Sequence, residues 1–188
     1  MILAYNGDTI EHEKLIKQFP KIDKTRTGIT PATARFLVTN GYDVLLFNYD
    51  EGLLDSSFKN KTQDDLALFI EKANSLETST SARLQWEEII KFIEAGGMFS
   101  TRLATLEDID SYLKKDTPVR VSIKPNILHS DPKYKDSHAV LVIGKRTDQY
   151  LLNDPAPQFT KPYWVQKDRL LESWHAEGAL MFVAMKKH

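Results

Sequence analysis

The stretch that decides the fold is "DSHAVLVIGKRTDQYLLNDPAP", residues 136–157. His138 opens an unbroken apolar run, a polar segment at 146–149 follows, and a second apolar run ends at Asp154. Two apolar runs joined by a short polar turn predict a β-hairpin, and a hairpin brings the far ends of its two strands side by side. We therefore expect His138 and Asp154 to be near neighbours.

The composition limits the classes of function that this chain can have. Its 188 residues, 41% hydrophobic and 27% charged, are enough for one complete core, so we expect a single domain over residues 1–188. A net charge of -1, without a basic stripe interleaved with aromatic residues, argues against a nucleic-acid partner. The sequence shows neither a membrane span nor a signal peptide, and we expect a cytoplasmic protein. The absence of cysteine excludes disulfides, thiolate metal sites and a thiol nucleophile within these residues.

The first half of the chain has mainly helical signals. Helix starts are predicted at Asp8 and at Thr30, and a strand is predicted over 42–49. Two amphipathic helices follow, one from Thr62 and one that ends at Gly96-Gly97.

The second half, about 104–185, has mainly strand signals. Thr105 is expected to cap a helix, and "VRVSI" (119–123) alternates with period two, which predicts a half-exposed strand. The apolar runs 139–143 and 179–185 predict central strands that are covered on both faces. A helix over 167–174 precedes the last strand. A helical first half against a mostly antiparallel sheet predicts the α+β class.

A histidine and an aspartate at adjoining strand ends can perform acid–base chemistry together. The carboxylate accepts a hydrogen bond from one imidazole nitrogen and fixes the tautomer, which leaves the other nitrogen to take a proton from a thiol or hydroxyl. The same pair can also be purely structural, with Asp154-Pro155 beginning a turn. The pattern alone leaves both interpretations open.

A metal site is a further interpretation of the same region. The loop "LHSDPKYKDSH" (128–138) contains nitrogen and oxygen donors of the kind that zinc or manganese accepts, at His129, Asp131, Asp136 and His138. The spacing is more typical of a solvated polar loop, so we expect no metal and no cofactor. Ser137 is not expected to serve His138 as a nucleophile, because adjacent residues of a strand point to opposite faces.

The order of these segments resembles the bacteriocin-processing cysteine peptidases, cysteine peptidase family 39, which are papain-like and cut after a double-glycine leader. The resemblance covers about residues 104–185 and is carried by "HAVLVIG" followed by "NDP". It implies a papain-like fold, a peptide or protein substrate, and a helical insertion over about residues 50–100. It also implies that His138 is the general base and that Asp154 orients it.

The N-terminal "MILAYNG" (1–7) is similar to the end of the helix that follows the Cys-Gly-Pro-Ala-Ser motif of that family. By this resemblance the nucleophilic cysteine would lie upstream of Met1, and these residues alone are not expected to hydrolyse peptides. We keep three hypotheses: a shortened peptidase, a pseudo-enzyme that binds peptides in a groove near Trp164 and Trp174, and a metal-binding domain. An apolar face left exposed on the helix stub would favour self-association.

Overall fold

The structure is a computed structural model that describes residues 1–9, 29–48, 61–133 and 136–187. The helix predicted from Asp8 falls mostly on residues 10–28, outside the described ranges, and so does the first part of the predicted insertion. The described residues form seven helices and seven strands. The helices are α1 Ile2–Tyr5, α2 Thr30–Thr39, α3 Gln63–Leu76, α4 Thr80–Glu94, α5 Leu106–Leu113, α6 Pro125–Leu128 and α7 Lys167–His175.

All the strands belong to one sheet with the order β2-β1-β7-β3-β4-β5-β6. Their bounds are β1 Tyr42–Phe47, β2 Met98–Ser100, β3 Val119–Ile123, β4 His138–Arg146, β5 Gln149–Asn153, β6 Tyr163–Gln166 and β7 Met181–Lys186. Only the pair β1–β2 is parallel, and the other neighbours are antiparallel. The α+β class, with a helical first half and a mostly antiparallel sheet, is confirmed.

Local capping chemistry explains where several helices begin. The Thr62 hydroxyl accepts from the backbone N–H of Asp65, whose carboxylate accepts from the backbone of Thr62, and this reciprocal capping box starts α3. Thr105 and Asp108 form the same box at the start of α5. Helix α2 begins at Thr30, the residue predicted to start it, and Ile29 occupies the N-cap position.

The sheet separates two apolar clusters, one on each face. Helices α2, α3 and α4 contribute to the first cluster, with Leu141 and Phe182 from the sheet. Helices α5 and α7 contribute to the second, with Val140 and Val142 from the sheet. Neighbouring residues of β4 therefore face different clusters, as strand alternation requires.

Two predictions about exposure are wrong. Strand β3 is central and covered on both faces. The polar side chains of Arg120 and Ser122 made the strand look half exposed. In the structure, Arg120 donates to the Ser122 hydroxyl at 2.7 Å, and its guanidinium lies over the Phe182 ring. Trp174 is fully buried in the second cluster, with its indole N–H donated to the Leu180 carbonyl at 3.2 Å. It therefore cannot line a surface groove beside Trp164.

Candidate active site

The β4–β5 hairpin brings His138 and Asp154 together as predicted. His138 is the first residue of β4, and Asp154 directly follows the last residue of β5. His138 Nε2 lies 2.6 Å from Asp154 Oδ1. The carboxylate is fully buried, whereas the imidazole remains 26% exposed. One side of the ring is thus anchored in the protein and the other side is open to a ligand.

The buried carboxylate accepts three hydrogen bonds within the described residues. Oδ1 accepts from His138 Nε2 and, at 2.9 Å, from the backbone N–H of Ala156. Oδ2 accepts from the Tyr163 hydroxyl at 3.0 Å. With Nε2 as the donor to an ionised carboxylate, the ring nitrogen that carries the lone pair is Nδ1. This is the tautomer that a general base needs when an acidic residue orients it.

Tyr163 belongs to an aromatic cluster that sequence analysis missed. Its ring stacks on Phe159 with centroids 4.5 Å apart, and Phe159 stacks on His129 at 5.0 Å. The Tyr163 oxygen also lies 3.5 Å from His129 Nε2. Strand β6 was not predicted at all, although the aromatic and β-branched run after Pro162 is a strand signal.

Burial shifts the pKa of two members of this cluster. Desolvation raises the pKa of Tyr163 well above its ordinary value, and the charge and hydrogen bond of Asp154 act in the same direction. Desolvation lowers the pKa of His129, with opposing contributions from Asp154, which raises it, and His138, which lowers it further. The phenol therefore stays a donor, and the His129 ring is neutral at neutral pH.

A cavity of about 270 Å³ opens beside the exposed face of His138. Its wall combines the catalytic candidates with polar, charged and aromatic side chains. The lining residues are Pro125, His129, Lys133, Asp136, Ser137, His138, Asp154, Ala156, Gln158 and Phe159. The cavity is thus placed to hold a small part of a ligand against the imidazole.

The loop before β4 contains the other residues that we considered as metal ligands or as a nucleophile. Within the described ranges, no group of three or more histidine and acidic side chains could hold a metal ion, although His129, Asp136 and His138 share the cavity. Ser137 also lines the cavity, because it precedes the strand and strand alternation does not apply to it. No hydrogen bond between Ser137 and His138 is found in this part of the structure.

A second concavity, of about 280 Å³, lies between α1, α2 and the sheet, and we call it the α1 groove. It is mostly apolar and includes Ala139, the residue after His138. Its lining residues are Met1, Ile2, Leu3, Thr33, Phe36, Leu37, Arg120, Ala139, Leu141 and Phe182. Burial lowers the pKa of the Arg120 guanidinium to about 10, partly offset by the charge of Glu177.

Comparison with known proteins gives one family. The family model described as the Peptidase C39-like family matches residues 1–181. A crystal structure from Bacillus anthracis, of a protein assigned as a C39-like peptidase, aligns with a TM-score of 0.36 and 15% identity over 44% of this chain. The alignment covers 48% of that protein, so the chain spans about half of its length. A search of curated proteins found no match. No helix among the described residues is long and apolar enough to cross a membrane.

Proposed function

Because the chain belongs to the peptidase C39-like family, we propose that it is a peptidase-like domain that binds a peptide in the cavity at His138. In this proposal His138 is the general base and Asp154 orients it. The observation that carries the proposal is the 2.6 Å contact between His138 Nε2 and a fully buried Asp154 carboxylate, beside an open cavity. A purely structural histidine would not need its free nitrogen beside such a space.

Chemistry at this pair requires a nucleophile that the 188 residues do not contain, since they include no cysteine. His138 Nδ1 would take the proton of a thiol, the thiolate would attack the peptide carbonyl, and the imidazolium would protonate the leaving amine. Water would then hydrolyse the thioester. On its own, the chain is expected to bind peptides without cutting them.

In this proposal the thiol would be supplied by a helix that occupies the α1 groove. The groove is lined by Met1 and Ile2 at the N-terminal end of α1 and by Ala139, the residue that follows His138 in β4. Its apolar lining suits a packed helix. A helix of this kind would carry its cysteine at the N-terminus, where the helix dipole and a neighbouring imidazolium favour the thiolate.

The binding part of the proposal is tested on the unmodified chain. We expect a peptide that ends in a double-glycine leader sequence to bind saturably, with a Kd on the order of hundreds of micromolar or tighter. Phe159→Ala, in the cavity wall, should weaken binding. Trp164→Ala is the matched aromatic control, since Trp164 is 38% exposed and stacks on Arg146 outside the cavity. No saturable binding, or equal losses in both variants, would contradict the proposal.

The catalytic part is tested by adding an N-terminal segment that begins Cys-Gly-Pro-Ala-Ser and continues as a helix into Met1. We expect cleavage of the bound peptide only with this segment. Replacing its cysteine by serine, or His138→Gln, should abolish cleavage while peptide binding persists. Binding without cleavage in the extended protein would favour the non-catalytic, peptide-binding alternative, for which the absence of cysteine is the specific argument.

A further inference from the structure

The Asp154 carboxylate is contacted on the side away from His138 by a residue to which no role has been assigned. We propose that Tyr163 is a positioning residue, which sets the strength of the His138–Asp154 hydrogen bond by sharing the carboxylate charge. The inference rests on the proposed function, because it matters for catalysis only if His138 is the base. The contact itself can be tested without any substrate.

The two carboxylate oxygens of Asp154 serve different partners. Oδ1 faces His138, and Oδ2 accepts the Tyr163 hydroxyl at 3.0 Å. A donor on Oδ2 draws negative charge toward itself and so reduces the charge on Oδ1. Because the Asp154 side chain is fully buried, little solvent competes for that charge, and the effect of one hydroxyl is large.

The phenol is held in this place from several sides. Pairing of Tyr163 with Leu152 fixes its strand beside the end of β5. The ring is stacked on Phe159, and the oxygen can accept from His129 Nε2, which is 3.5 Å away. Since burial keeps the phenol protonated, its hydroxyl remains a donor to Asp154 across the neutral range. A group fixed and protonated in this way acts through the carboxylate and not on the substrate.

Removing this hydroxyl has a predictable direction. Oδ2 loses a donor, the carboxylate charge is no longer shared with the phenol, and the bond from His138 Nε2 to Oδ1 becomes stronger. The backbone N–H of Ala156 still holds Oδ1 at 2.9 Å, so the carboxylate keeps its orientation. A residue that only filled space would leave the imidazole unchanged.

The experiment compares Tyr163→Phe with the unsubstituted chain by ¹⁵N NMR of the imidazole nitrogens, observed through the carbon-bound ring protons. His138→Gln identifies the His138 signals among the five histidines. We expect the Nε2 signal to move downfield in Tyr163→Phe. Tyr150→Phe is the matched control, because the Tyr150 hydroxyl donates to Asp110 at 2.8 Å in a comparable bond away from the cavity. It should leave the His138 signals where they are.

A second variant keeps the proposal testable if Tyr163→Phe does not fold. Replacing Tyr163 by 3-fluorotyrosine keeps the ring stack and makes the hydroxyl a stronger donor, so the His138 Nε2 signal should move upfield. Unchanged signals in both variants, or movement in the opposite directions, would overturn the proposal for Tyr163. Failure of the proposed function would look different, because peptide binding would be absent while the expected NMR shifts remain.

Discussion

At the scale of single residues, several hydrogen bonds of the candidate site depend on the Asp154 carboxylate. All three of its partners are donors, and removing the carboxylate leaves each of them without its acceptor. We predict that Asp154→Ala lowers the free energy of unfolding by about 2–3 kcal/mol, the usual effect of orphaning buried polar groups. Urea denaturation measures this loss.

Asp154→Asn is the matched variant for that prediction. Its amide oxygen can still accept from His138 and from the backbone of Ala156, and the Tyr163 hydroxyl can turn to accept from the amide N–H. The loss of stability should therefore stay at about 1 kcal/mol or less. Equal destabilisation by both variants would mean that the hydrogen bonds to this side chain do not hold the strand ends together.

At the scale of elements, the start of α5 depends on an ionised Asp108. The side-chain hydrogen bond from Arg102 holds the pKa of Asp108 below its ordinary value of 3.8, against desolvation and with help from Thr105. A carboxylate whose pKa is lower in the folded state than in the unfolded state stabilises the protein at pH values above its unfolded-state pKa. This contribution is lost as the pH falls through the folded-state pKa.

We predict from this that Asp108→Asn destabilises the protein at neutral pH by about 1 kcal/mol or less, since Arg102 is 53% exposed and its charge is screened. The difference from the unsubstituted chain should disappear in acid. Urea denaturation at neutral and acidic pH measures both parts. Asp65→Asn, in the equivalent box of α3 with Thr62 as its main partner, should show a smaller pH dependence. A difference that persists in strong acid would argue against the charge as its cause.

The end of α4 gives a second prediction at this scale, because its two glycines act for different reasons. Gly96 has φ +93° and open space around its Cα, whereas a Cβ at Gly97 would overlap the ring of Phe92, which is fully buried. We predict that Gly97→Ala costs roughly 3 kcal/mol through overpacking. Gly96→Ala should cost about 1 kcal/mol through backbone strain.

Thermal unfolding of the two alanine variants gives the order of their stabilities. Combining Gly97→Ala with Phe92→Leu should recover part of the loss, because the smaller side chain makes room for the added methyl group. Strictly additive effects would show that the ring is not the obstacle.

At the scale of the whole molecule, the features that sequence predicted well are those determined locally. The β4–β5 hairpin is continuous in sequence, so an apolar pattern and a short turn sufficed to bring His138 and Asp154 together. Tyr163 reaches the same carboxylate only after the irregular segment between β5 and β6, and no local rule gives that register. Arg120 looked solvent-facing because its stacking partner, Phe182, lies on a strand far along the chain. The sequence pattern could not predict how segments that are distant along the chain pack together.

The α1 groove leads to the last prediction. Apolar side chains such as Phe36, Leu37 and Phe182 line it, and Met1 at its edge is 39% exposed. Apolar surface of this kind is covered when a partner is available, and without the proposed helix the available partner is a second copy. Since the groove is small, the association should be weak, with a Kd on the order of 100 µM.

Light scattering over a concentration series should therefore show the mean mass rising with concentration. Leu3→Glu, which puts a charge at the groove, should abolish the rise. Leu76→Glu is the control, because Leu76 is 78% exposed on α3 and does not line the groove. The extended protein, whose added helix would cover the same surface, should remain monomeric. If the unmodified chain is a monomer at every concentration, the groove does not bind a second copy, and the packing argument that seats a helix there loses its support.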